Sequence, residues 1–103
     1  MIHVIATVEV HPGKRESFLA EFRKIMPLVK AEVGCIEYGP AVDVAAGLPV
    51  PTSLRENVVV IVEKWENLDC LKNHLQAPHM IAYRPKVKDF VKETKLQVLA
   101  PAD

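Results

Sequence analysis

The sequence lacks an excess of charge of either sign: 13 lysines and arginines face 13 aspartates and glutamates, for a formal net charge of zero. So balanced a chain carries no broad field with which to gather nucleic acid or an anionic membrane surface, and neither is expected as a partner. Long apolar runs are missing too. No stretch approaches the ~20 consecutive apolar residues that a spanning helix needs. The N-terminal MIHVIATVEV has no basic leader and is broken by His3, Thr7 and Glu9, so a cytoplasmic protein is expected. Cysteine is scarce. Cys35 and Cys70, in a chain with no export signal, are expected to be reduced and packed rather than a disulfide or a nucleophile. Nor do the four glycines form a phosphate-binding loop, a nucleophile elbow or a dinucleotide fingerprint.

What is present is a chain of 103 residues, half of them hydrophobic, with the make-up of one globular domain over residues 1–103. Chains of this size leave roughly a third of their unfolded surface exposed. An apolar domain so small is expected to bury further surface against a partner, so we expect an oligomer.

Residues 2–10 alternate, with Ile2, Val4, Ala6, Val8 and Val10 on one side of a strand. His11-Pro12-Gly13 ends it. A helix is expected over residues 13–33, where Phe18, Phe22, Ile25, Met26, Val29 and Val33 form one stripe. Pro27 lies opposite that stripe, and Gly34 is the stop signal. Residues 35–44 read as a second strand interrupted by Gly39 and Pro40. A Gly/Pro-punctuated loop over residues 45–57 follows, longer than ordinary connections and either a lid or a dimer arm. Residues 57–65, NVVVIVEKW, are the strongest strand signal. Their apolar run Val58 to Val62 offers apolar groups to both faces, which calls for cover on both sides. Asn67 is a plausible N-cap for a short helix carrying Leu68, Leu71 and Leu75. Pro78 suits the first turn of another helix, with Met80, Tyr83, Val87, Phe90 and Val91 inward and Pro85 as a kink. Residues 94–99 close the chain as a strand. The order β-α-β-β-α-β is an α+β, ferredoxin-like arrangement with helices on one face of an antiparallel sheet.

Several side chains could carry chemistry. Trp65 is either core or the flat wall of an aromatic-ligand pocket, and a buried indole needs a hydrogen-bond partner. Glu63 shares a face with Trp65 and is either paired or functional. His74 falls at the edge of its helix's leucine stripe, where it either packs or presents a ring nitrogen to a cavity. His79 and Tyr83 lie one turn apart on the next helix, so that His74, His79 and Tyr83 could line one concavity. No metal is expected, because His74 and His79 are five residues apart across a proline and no third ligand stands nearby.

EKWENLDCLKNHLQAPHMIAYRPKVKDFV, from Glu63 to Val91, resembles the most recognisable stretch of the antibiotic biosynthesis monooxygenase family. VGCIEYGP, from Val33 to Pro40, is similar to that family's entry to strand two, and VDVAAGLPVP, from Val42 to Pro51, to an insertion of its bacterial quinol monooxygenase branch. The resemblance covers essentially the whole chain. It implies a homodimeric α+β barrel of two face-to-face sheets, with a pocket between each sheet and its helices. It also implies oxidation of quinols or related dihydroxy-aromatics by molecular oxygen without flavin, haem or metal. The haem-degrading branch wants an Asn on the first strand, a Trp at position 74 and a His near Arg84; strand one here offers Ala6 and Thr7. A branch that isomerises small sugar-derived signals shares the paired His74 and His79 but lacks the inserted loop. A non-enzymatic quinone-binding dimer is the third reading.

On the quinol reading, His74 takes or relays a hydroxyl proton, imidazole being the side chain whose free form changes charge near neutral pH. Trp65 stands with it at the centre. Tyr38, Met80 and Tyr83 supply flat apolar walls beside Glu63, and His79 or Tyr83 hydrogen-bonds the anion.

Overall fold

Period-two patterning places β1 (Ile2–Val10) at the heart of the molecule. The computed structural model describes residues 1–103, and in it Val4, Ala6, Val8 and Val10 are buried while His3, Ile5, Thr7 and Glu9 are half-buried on the other face. After β1 come α1 (Arg15–Lys30), β2 (Cys35–Ala41), β3 (Val58–Trp65), α2 (Leu68–Leu75), α3 (Pro78–Val87) and β4 (Val91–Leu99). The sheet order is β2-β3-β1-β4, with every neighbour antiparallel. This is the expected ferredoxin-like topology, its second helical segment divided in two at Pro78.

All three helices feed one cluster that packs on one side of the sheet. Phe18, Phe22 and Val29 of α1 meet Val4, Val10, Val59 and Trp65, all essentially without exposure. Each large side chain so buried contributes about 1.5–3 kcal/mol. The molecule is a slab of 39 × 38 × 20 Å, thick enough for one helical layer on one sheet. Nothing in the chain covers the other sheet face. Register pairs Ile5 with Val62 and Thr7 with Val60 there, so the second apolar side of β3 is left half-exposed.

The structure departs from the sequence reading where periodicity is extended past an element's end. Val33 was grouped with the helical stripe but is exposed, because α1 ends at Lys30 and the chain turns through Ala31. Leu19, outside that stripe, is buried instead. Leu68 and Leu75 are exposed while Leu71 and His74 are buried. α2 is capped as expected, Cys70 N donating to Asn67 Oδ1 at 2.9 Å, but its inward face is rotated toward His74. Val91 starts β4 rather than ending a helix, since it pairs with Val10 beyond an irregularity at Glu9 and Val10. β2 stops at Ala41, three residues early.

The long connection between β2 and β3 is a loop closed at its base. Asp43 Oδ2 accepts from the Arg55 backbone N at 2.8 Å and from Nε at 2.7 Å, and Oδ1 accepts from Nη2 at 2.9 Å. The fork-shaped guanidinium suits a carboxylate in this two-point grip, and it holds the Asp43 carboxyl well below the usual carboxylate range. Beyond the clamp, Val44, Leu48, Val50 and Leu54 are exposed.

Gly34 sets how closely α2 approaches. Its φ is +80°, and a Cβ there would lie 2.8 Å from Cys70 Cβ and closer still to Cys70 Sγ. Gly13 has the same φ but open space around it. Left-handed backbone costs a non-glycine residue about 1–2 kcal/mol, so Gly13→Ala should lose about that much and Gly34→Ala more. Urea unfolding of the two variants checks this; equal losses would mean that α2 yields without cost.

Candidate active site

The site begins in the turn that ends α1. Glu32 N donates to Val29 O at 2.9 Å, Cys35 N to Glu32 O at 3.2 Å, and Glu66 N to Gly34 O at 2.9 Å, tying the turn to the end of β3. Because Gly34 admits the Cys70 side chain, α2 lies hard against this turn, and its last turn carries His74 to Glu32. Ala77 N donates to His74 O at 3.1 Å, and Pro78 opens α3 with His79 as its second residue. The two helix ends therefore meet at one carboxylate.

Glu32 Oε2 stands 2.8 Å from His74 Nδ1 and 2.7 Å from His79 Nε2. An ionised carboxylate only accepts, so with Glu32 ionised both nitrogens carry protons and donate to it. In a neutral His74 ring that fixes the tautomer, with the lone pair on Nε2. The His74 side chain is 2% exposed, Glu32 13% and His79 20%. His74 is thus a buried imidazole whose desolvation is offset by a charge-assisted hydrogen bond, rather than the boundary residue that helical spacing placed at an edge.

Aromatic rings enclose it. The Trp65 ring centroid lies 4.8 Å from that of His74 with a 33° tilt, and Tyr38 meets His74 edge-on at 5.4 Å. Tyr38 stacks on Phe22 at 5.2 Å, and Phe22 meets Tyr83 edge-on at 6.4 Å. The partner a buried indole needs is Glu63: Trp65 Nε1 donates to its Oε1 at 2.9 Å. Glu63 is itself buried. Burial pushes its carboxyl above the ordinary glutamate value and the charge of Glu32 adds to this, while the Trp65 hydrogen bond and His74 pull it down. Burial also pushes the Tyr38 and Tyr83 phenols far up, aided by Glu63 and Glu21 respectively. The Tyr83 hydroxyl is sealed from solvent without a hydrogen-bond partner.

The candidates named from sequence accordingly fall into two groups. Trp65, Glu63, His74 and Tyr38 make one contiguous cluster. Met80 is buried in the same core. His79 and Tyr83 share a cleft of about 170 Å³ between α1 and α3, with Ile25 and Leu28, but His74 does not line it. None of the five principal cavities is lined by His74, Trp65 or Glu63. The space between sheet and helices is filled by side chains rather than open. A cleft of about 600 Å³ runs along β2 outside this cluster, lined by Met26, Cys35, Tyr38, Pro40 and Val62 among others. Tyr38 is the wall common to cleft and cluster.

Glu32 is the member of this cluster that the sequence reading missed. It stands 42 residues before His74, in a turn and in no motif. Its one signal is its place beside Gly34, where a tight approach of another element was foreseeable.

A family model described as antibiotic biosynthesis monooxygenase matches residues 1–86. The chain is 42% identical over 103 residues to "Probable quinol monooxygenase YgiN" of Escherichia coli, with 98% of each chain covered. Among solved structures, PA3566 from Pseudomonas aeruginosa superposes with a TM-score of 0.81 at 20% identity, over 99% of this chain and 94% of that one. Rv0793 from Mycobacterium tuberculosis does so with a TM-score of 0.81 at 24% identity, over 99% and 95%. These two show the same fold.

The raised Glu63 carboxyl has a sign that can be tested. A carboxyl raised on folding favours the folded state fully below its unfolded value, 4.5 for glutamate. It loses that contribution as pH rises through the folded value. Glu63→Gln keeps an acceptor for Trp65 Nε1 and removes the titration. Its unfolding temperature should gain on that of the wild type as pH climbs from below 4.5 toward neutrality. Parallel pH profiles would refute the assignment.

Proposed function

The chain belongs to the antibiotic biosynthesis monooxygenase family, and we propose that it is a cofactor-independent quinol monooxygenase that works as a homodimer. The observation that carries this reading is the buried Glu32–His74 pair, which leaves one imidazole nitrogen as an acceptor among aromatic walls. Triplet oxygen reacts slowly with closed-shell molecules, so the substrate must be made electron-rich. His74 Nε2 takes a hydroxyl proton from the quinol, and Glu32 stabilises the imidazolium that forms. The quinolate then gives an electron to oxygen. In the completed reaction one oxygen atom enters the ring and the other leaves in water.

The quinol name of the Escherichia coli relative supports this substrate class. Tyr38 lines the cleft along β2 and packs edge-on against His74, so a quinol reaches the imidazole only by displacing that ring. Glu63 keeps the Trp65 ring in place against the imidazole. His79 donates its Nε2–H to Glu32, which leaves Tyr83, whose hydroxyl has no partner, as the donor for an anion.

The dimer rests on the open sheet face. Ile5, Val58, Val60 and Val62 are too apolar to be left to water and too few to need more than a second copy of the same face. The clamped loop, with its exposed Val44, Leu48 and Val50, extends the surface available to that copy.

Two measurements test these readings. Chemically reduced naphthoquinol added to metal-free protein should consume oxygen above the spontaneous rate, and His74→Ala should lower that excess by about 100-fold or more. No excess would favour binding alone, and conversion indifferent to oxygen would favour isomerisation. Sedimentation velocity should show a dimer at micromolar concentration and a monomer for Val60→Lys. A monomeric wild type would overturn the dimer.

A further inference from the structure

Side chains that converge on a proton can also converge on a metal, and we propose that Glu32, His74 and His79 form a binding site for a divalent transition-metal ion of the zinc type. The donor atoms lie within 4.8 Å of one another. Two imidazoles and a carboxylate are a set that zinc accepts, with a fourth position left to water or a ligand. Sequence spacing argues against a metal, since His74 and His79 are five residues apart across a proline with no third ligand nearby. The fold brings that donor from the turn after α1.

The fit asks for a small movement. Tetrahedral zinc with bonds of ~2.1 Å keeps its donors roughly 3.4 Å apart, whereas the two ring nitrogens stand 2.8 and 2.7 Å from the carboxylate oxygen. The oxygen withdraws by about half an ångström or slightly more while the nitrogens draw together. The backbone of Glu32 is held by its turn, so the adjustment falls to its side-chain torsions. His74 and His79 sit at the facing ends of two helices joined only through Gln76 and Ala77, so their separation can close without either helix unwinding.

Proton accounting gives the consequence. With Glu32 ionised and both rings neutral, the metal replaces the N–H protons at His74 Nδ1 and His79 Nε2. Each proton passes to the opposite nitrogen of its own ring, and none is released. His74 thereby changes from an acceptor at Nε2 into a donor there. On the proposed role of His74 as base, from which this consequence follows, the bound ion acts as an off switch rather than as a cofactor.

Calorimetric titration of chelator-treated protein with Zn²⁺, together with the ligand-field spectrum of added Co²⁺, reads the site directly. The wild type should take one ion per chain and unfold at a higher temperature with zinc present. His79→Ala and the conservative Glu32→Gln, each checked for folding by circular dichroism, should bind at least ~10-fold more weakly. His3→Ala and His11→Ala should bind as the wild type does. No ion bound by the wild type, or undiminished binding by His79→Ala, overturns the site and leaves the metal-free activity of His74 untouched. Binding that leaves quinol oxidation unchanged overturns the switch alone.

Discussion

One carboxylate oxygen joins three parts of this molecule. Glu32 Oε2 accepts from imidazoles at the end of α2 and the start of α3, and the turn that carries it is itself tied to the end of β3. If the carboxylate were absent, His74 would be a desolvated ring with no partner for Nδ1, a costly state in an interior of low polarity. The burial of His74, the rotation of α2 away from its leucine stripe and the fixed tautomer all follow from that contact. Gly34 makes the contact possible, because any larger residue would hold Cys70, and with it α2, away from the turn.

Around this centre the fold separates two tasks. The helix-facing side of the sheet is packed with aromatic and aliphatic side chains, and the polar groups there are paired, Trp65 with Glu63 and His74 with Glu32, except for the Tyr83 hydroxyl. The opposite side is apolar but uncovered, in a slab one sheet and one helical layer thick. A buried polar cluster and an unsatisfied apolar face are different needs, and alternate residues of one strand serve both. Glu63 and Trp65 point one way from β3, and Val60 and Val62 the other.

Much of the frame was legible in the primary structure. Strict alternation located β1, the apolar run located β3, Asn67 capped its helix, and Pro78 opened the next. Errors gathered at ends, where periodicity gives no stopping point: Val33 and Val91 continue an apolar pattern that the backbone has already left. Leu68 and Leu75 were misassigned for another reason. Their stripe is a statement about one helix, while the face that α2 buries was decided by a partner on another element.

The same division applies to the site. Residues close in sequence, Glu63 with Trp65 and His74 with His79, could be grouped from local spacing, because strand and helix geometry convert sequence distance directly into direction. Glu32 could not, since a turn residue 42 positions away has no periodicity linking it to a histidine. Nor did spacing tell that Tyr38 would part an open cleft from a filled cluster. Sequence by itself determined the elements, their order and the candidate side chains. Only the tertiary structure decided which carboxylate holds the imidazoles, because that depends on how closely a glycine lets two elements approach.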